Sequence, residues 1–284
     1  MSHINNIKSQ PQLDNDNNQS ITMKLLTSLL LINSIDAFVT PSFTRPQSKS
    51  ISSSILGAYK KVFVAGGSKG VGRLIIDKLL ADGSEVVALL RSDDQIEEIG
   101  ALEGVTAIKG DAFDYKSIEG AMDGCDAAVS TLGGQTGDDG KRVDYEGNSN
   151  VIEAAGILGV TRMLLVSSIG CGNSKDAAPP SVFETLKEVL AAKSKAENVL
   201  IKYYTNMNWT IVRPGGLKTE PMTGTAILTE DNLAIGSIHR EDVADLVVKA
   251  LSSANTERKV LSAIDVGISS AANTGEKTVE EYSL

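Results

Sequence analysis

The sequence predicts an α/β fold, a doubly wound parallel sheet with helices on both faces, and three observations carry that expectation. A short apolar run, Val62, Phe63, Val64 and Ala65, has the character of a strand buried on both faces. It runs directly into a glycine turn, Gly66, Gly67, Ser68, Lys69, Gly70, Val71 and Gly72, and then into an amphipathic helix with Leu74, Ile75, Leu79 and Leu80 on its apolar side. Further short apolar runs alternate with helical patterns downstream, the rhythm of parallel strands joined by crossover helices.

A strand, a glycine turn and a helix in that order hold a dinucleotide pyrophosphate. Gly66 permits the tight turn, Gly70 lets the backbone approach the phosphates, and Gly72 lets the helix pack on the strand. Ser68, Lys69 and Val71 complete the loop, and the helix N-terminus offers free N–H groups to the anion. A glycine triplet by itself is also a common structural turn; the strand before it and the helix after it are what point to a nucleotide.

The second strand, Glu85–Leu90, ends at Arg91 and Ser92. Strands that select NAD end here in an acid for the ribose 2′-hydroxyl, whereas an arginine suits a 2′-phosphate. Arg91 therefore favours NADP, with Lys69 and Arg73 as further cations; the alternative is a solvated arginine neutralised by Asp93 and Asp94. A third strand, Val105–Lys109, ends in Gly110, Asp111 and Ala112. A fourth, residues 126–130, ends in Thr131, Leu132, Gly133 and Gly134. A helix follows over 143–159, with Val151, Ile152, Ala155 and Ile157 apolar, and then a fifth strand, Arg162–Val166, ending in Ser167, Ser168, Ile169 and Gly170. Ligands bind at the carboxyl ends of such strands, and small or hydroxyl residues there allow a flat cofactor close to the backbone. A last strand is expected over 259–264.

With these pieces in place, the chain resembles atypical short-chain dehydrogenases/reductases of the NAD(P)-binding, NmrA-like branch, a Rossmann-type family common in cyanobacteria and plastids. The matching segments are AGGSKGVGR, ALLRS, KGDAFD, STLGG, NVIEAAGILGVTRMLLVSSIG, TIVRPGGL and GSIHREDVADLV, spread over about residues 59–265. The resemblance implies that Gly66, Gly70, Gly72 and Arg91 hold NADP, that Asp111 and Ala112 lie by the adenine, and that Thr131, Leu132 and Gly133 run along the nicotinamide half. Two departures stand out. The branch spaces its glycines GxxGxxG, whereas Lys69 occupies the middle position here and Gly70 gives GxxxGxG. Conventional members also place a Tyr four residues before a Lys, the Tyr donating a proton and the Lys lowering its pKa. Lys193 has Val189 in that place and Lys195 has Ala191, so the usual acid is absent. Lys193 is a candidate for holding the nicotinamide ribose, against the alternative of a solvated helix lysine. Ser167 and Ser168 are candidates for orienting a carbonyl, against the alternative of turn caps.

Composition narrows the function classes. The 284 residues are 42% hydrophobic and carry a net charge of −9, which disfavours nonspecific contact with nucleic acid or anionic membrane. Aromatics make up only 4%, too few for a base-stacking platform. Cys125 and Cys171 have no metal-ligand spacing and read as buried, inert thiols. His3 and His239 are too far apart to suggest a metal site, and the resemblance makes His239 a structural helix start.

Residues 59–266 are expected to form the nucleotide-binding domain, between a leader, 1–58, and a loose tail, 267–284. Residues 1–22 are polar and Asn/Gln-rich, of disordered composition. Met23 and Lys24 open a short apolar run, residues 25–35, of signal-peptide character and too short to span a bilayer. After Ala37 come Phe38 and a Ser/Thr-rich, acid-free stretch of transit-peptide composition. Together they resemble the bipartite plastid presequence of diatoms, with Met23 as a second candidate initiator. Residues 215–236, which include Pro221, Thr223, Gly224 and Thr225, are expected to form a substrate lid. Two functions follow from the sequence: an NADPH-dependent oxidoreductase for a small conjugated or quinone-like acceptor, or a non-catalytic NADP(H)-sensing or assembly factor with protein partners in the plastid. Neither substrate nor partner is legible, and no membrane span is expected in the mature protein.

Overall fold

The computed structural model describes residues 59–268, apart from 135 and 138, and residues 279–284. The leader and most of the tail therefore lie outside the described residues, and with them the presequence expectation. The first part of the fold alternates β1 (Lys61–Ala65), α1 (Gly70–Ala81), β2 (Glu85–Leu90), α2 (Asp93–Gly100), β3 (Val105–Lys109), α3 (Tyr115–Met122), β4 (Ala127–Ser130), α4 (Glu146–Ile157) and β5 (Arg162–Val166). The second part runs through α5 (Pro180–Tyr203), β6 (Asn208–Pro214), β7 (Gly216–Lys218), β8 (Ala226–Thr229), β9 (Ser237–His239), α6 (Arg240–Ser252) and β10 (Lys259–Asp265).

Eight strands form one sheet in the order β3-β2-β1-β4-β5-β6-β10-β8. All neighbours are parallel except β8, which pairs antiparallel with β10 at the edge. Alternate residues of β1 enter opposite cores, as a doubly covered strand requires. Val62 and Val64 pack with Ile75 and Leu79 of α1 and Val243 and Val247 of α6, whereas Phe63 and Ala65 pack with Ile118 of α3, Ile152 of α4 and Leu200 of α5. The strand order reverses between β1 and β4, so a crevice opens at their carboxyl ends.

Several expected boundaries shift. The helix predicted over 143–159 spans Glu146–Ile157 because Tyr145 and Glu146 donate their N–H groups to the Arg142 carbonyl in a preceding turn, and because the Val160 N–H closes back on the Ala155 carbonyl. The fourth strand begins at Ala127, one residue later than predicted, and the last extends to Asp265. The expected lid is divided. Gly215 and Leu217 reach the crevice, but Ala226–Thr229 is β8 of the main sheet. Leu217 lies in β7, which pairs with β9, just beyond the expected lid, in a small parallel ribbon. Tyr282 donates its N–H to the Leu228 carbonyl and its hydroxyl to the Asn255 carbonyl, fastening the end of the chain beside the sheet. Among the described residues no helix is long and apolar enough to cross a membrane.

Candidate functional site

A cleft of about 530 Å³ lies at the carboxyl ends of β1, β2, β4, β5 and β6. Of the candidates named from the sequence, Gly66, Ser68, Lys69, Gly70, Val71, Gly72, Arg91, Asp111, Ala112, Thr131, Leu132, Gly133, Ser168 and Lys193 line it, and Arg73 does not.

At one end the wall is backbone. Gly66 turns with φ +86, and a Cβ on it would stand 2.6 Å from the Thr131 Oγ1. That hydroxyl lies 3.2 Å from the carbonyls of both Ala65 and Gly66, so β4 closes directly over the β1 turn. A Cβ on Gly72 would lie 2.2 Å from the Gly66 carbonyl oxygen, so the first helical turn packs against the strand end only without a side chain. Gly70 opens α1 with φ +59, a conformation L side chains avoid, and its nearest neighbour on the Cβ side is Arg240 at 3.9 Å. The two glycines differ in kind: Gly72 is required by packing, whereas Gly70 leaves open space at a helix N-terminus.

Arg91 stands exposed at the end of β2, held by its backbone N–H on Gln95 Oε1. Among the described residues its guanidinium has no ion pair and no hydrogen bond. Asp93, the neutralising partner that the sequence leaves open, instead pairs with Lys109 at 2.6 Å. Arg73 pairs with Asp77 along its own helix and does not line the cleft, so it adds no cation there. Arg240 takes that place, lining the cleft over Gly70 and donating to Thr219 Oγ1. Asp111 lines the cleft beside Ala112, and its Oδ1 accepts from the Phe113 N–H.

The other end is built from side chains. Lys193 projects from α5 and donates to the Leu132 carbonyl at 3.1 Å, with the Val166 carbonyl at 3.5 Å. Its Nζ is 3.6 Å from Oδ1 of Asp144, a fully buried carboxylate that also accepts from the Gly134 N–H and faces Arg142. Lys193 is thus a fixed cation at the junction of β4 and β5, not a solvated helix lysine. Val189 lines the cleft where conventional members carry their Tyr. Ser168 donates its hydroxyl to the Ile169 carbonyl at 3.0 Å, the turn-cap alternative, while among the described residues the buried Ser167 Oγ has no partner. Cys171 is buried, its thiol donating to the Leu190 carbonyl, and burial raises its pKa; burial pushes the Cys125 thiol up to about 11. Neither thiol is a nucleophile at neutral pH.

Sequence reading missed Asp144 and Arg240. Asp144 sits in a turn before a helix, where an acid is ordinary, and its meaning comes only from Lys193 far along the chain. Arg240 follows His239 at the start of α6, and nothing local shows that this helix start folds back over the glycine turn.

A sequence model described as NAD(P)H-binding matches residues 66–254. An uncharacterized sugar epimerase of Bacillus subtilis, YhfK, is 34% identical over 207 residues, covering 70% of this chain and 91% of that protein. The chloroplastic Arabidopsis thaliana protein At2g34460, also uncharacterized, is 35% identical over 217 residues, covering 72% of this chain and 76% of its own. Among solved structures, ChuY of Escherichia coli O157:H7, described as an anaerobillin reductase, superposes with a TM-score of 0.67 at 28% identity, over 74% of this chain and 100% of that one. The glycine turn, the sheet order and these likenesses agree, and the chain belongs to the NAD(P)H-binding family, in its atypical, NmrA-like short-chain dehydrogenase/reductase branch.

Proposed function

We propose that this chain binds NADP(H) and transfers hydride from NADPH to a small conjugated or quinone-like acceptor. The observation that carries the reading is the free Arg91 guanidinium at the end of β2, in the same cleft as the glycine turn of α1. A dinucleotide with its pyrophosphate over Gly70 places its ribose 2′-position toward the end of β2, where a bidentate arginine binds a phosphate dianion and gains nothing from a hydroxyl. Lys69 and Arg240 supply further positive charge at the pyrophosphate. Asp111 and Ala112 flank the adenine, and the nicotinamide lies along Thr131, Leu132 and Gly133 toward Lys193.

When bound, the cofactor supplies the hydride. Lys193, held by two carbonyls and Asp144, binds the nicotinamide ribose. Leu132, Val166, Pro214 and Leu217 give the hydride end an apolar lining. With Val189 in place of a Tyr acid, the proton that accompanies the hydride comes from water. That suits acceptors whose developing negative charge is delocalised, such as quinones, flavins and linear tetrapyrroles. The likeness to ChuY supports a reductase of this kind. The chloroplastic Arabidopsis relative supports a plastid location, with residues 1–58 as the import leader.

Binding measured by calorimetry tests the cofactor: NADPH should bind far more tightly than NADH, and equal affinities would overturn the assignment. A screen of NADPH oxidation against quinones, flavins and tetrapyrroles tests the reaction. NADPH binding without turnover on any of them would favour the non-catalytic sensing or assembly role. Residues 23–58 fused to a fluorescent protein should enter the plastid of an alga that imports through the secretory route, and cytosolic fluorescence would remove the targeting argument.

A further inference from the structure

Outside the cleft, three buried ionisable side chains from three different elements converge. His239 ends β9, Asp242 lies in the first turn of α6, and Asp265 ends β10, with side-chain exposures of 7%, 2% and 0%. His239 Nδ1 lies 3.5 Å from Asp242 Oδ2 and 3.6 Å from Asp265 Oδ2, yet it makes no hydrogen bond. All three atoms fall within 4.8 Å of one another. Among the described residues, His239 is the one basic side chain within 4.0 Å of either aspartate. The His239 Nδ1 is thus a buried polar atom without a hydrogen-bond partner, aimed between two buried carboxylates, and a buried polar atom left unmet costs free energy.

We propose that His239, Asp242 and Asp265 form a binding site for one divalent first-row transition cation, of which zinc is the probe. The donor set, one imidazole nitrogen and two carboxylate oxygens, is of intermediate hardness, which favours zinc, manganese or ferrous iron over magnesium. Ligand atoms about 2.1 Å from a tetrahedral ion stand roughly 3.4 Å apart, close to the spacing of Nδ1 from both carboxylates. The other imidazole nitrogen, Nε2, faces Glu220 Oε2 at 3.6 Å, the carboxylate–histidine pairing that orients a metal-bound imidazole.

The aspartates are themselves oriented. Asp242 accepts from the N–H groups of Thr223 and Gly224, and Asp265 accepts from the hydroxyls of Thr223 and Thr225 and the Gly267 N–H. A dication there would bolt the 223–225 loop to the start of α6, whose first residue, Arg240, lines the cleft. This inference does not depend on the hydride-transfer reading, because its readout is metal content and not turnover.

The test uses the full chain, stripped with a chelator, loaded with zinc and passed through a desalting column. One zinc should remain per chain, and magnesium should not displace it. His239→Gln should lose the zinc, and Asp265→Asn should bind it roughly tenfold or more weakly. The chain has two histidines, His3 and His239, so imidazole nitrogen NMR of the unsubstituted protein, assigned with His3→Ala, needs no cluster variant that folds. Zinc should move the Nδ1 resonance of His239. Failure of the unsubstituted chain to retain zinc, a His239 signal that zinc leaves unchanged, or a folded His239→Gln protein that holds as much zinc would each overturn the proposal.

Discussion

The two ends of the cleft are made by opposite means. The glycine-turn end is backbone: Gly66, Gly72 and Thr131 touch so closely that no Cβ fits at either glycine, and the charged groups there, Arg91, Lys69 and Arg240, stand at the surface. The Lys193 end is held by buried charge. Asp144 grips Lys193 from below, and one turn along α5 Glu197 pairs with Arg213 at 2.7 Å, both 3% exposed. Asn173 adds a hydrogen bond to the same guanidinium. That pair fastens the α5 segment carrying Lys193 to β6, next to Pro214 on the cleft wall. A site for a fixed polyanion needs open N–H groups and space, whereas a site that positions a lysine must desolvate it and so must meet its charge.

Removing one partner from the second end should cost most. Glu197→Ala leaves Arg213 buried and unpaired, so denaturant unfolding should show a loss of about 3–5 kcal/mol. A loss no larger than that of a surface mutation would mean that buried charge does not hold this end. At the first end, Arg91→Ala should lower NADPH affinity by about 1.5–3 kcal/mol, the range of a charge-assisted hydrogen bond, and leave NADH affinity and unfolding unchanged. Between them, if Lys193 holds the nicotinamide ribose as proposed, Lys193→Met should weaken NADPH and NADH equally, by about 1.5 kcal/mol, because that ribose is common to both. A selective loss of NADPH in that variant would place the 2′-phosphate at the wrong end. The smallest effect is expected away from both. Tyr282→Phe removes one hydrogen bond at the surface, so thermal unfolding should register about 0.5–1.5 kcal/mol while both cofactor affinities stay fixed.

The glycine-turn end was legible because each of its residues lies within a few positions of the strand that places it. Gly66 follows β1, Arg91 follows β2, Asp111 follows β3 and Thr131 follows β4. Period, turn chemistry and strand-end position read them all. The other end offered Lys193, Ser167, Ser168 and the missing Tyr at Val189. Three-residue strands such as β7 and β9 are too short to show an alternation, and β8 lay hidden in a stretch that reads as a loop.

Strands, crossover helices and the glycine turn were fixed by the sequence itself, since local sterics and the spacing of apolar residues act between near neighbours. Which charges are buried, and against what, was decided only by tertiary structure. Arg162 begins β5 in a position that reads as an exposed strand end, yet it is 1% exposed and donates to the Ala250 and Leu251 carbonyls at the end of α6 and to the Asn208 carbonyl. Asp144 under Lys193, Glu197 against Arg213, and His239 between two aspartates are the same case. Apart from His239 with Asp242, three residues on, each pairing joins residues well separated in the chain, and the energy of a buried polar or charged group depends on the partner that folding brings to it.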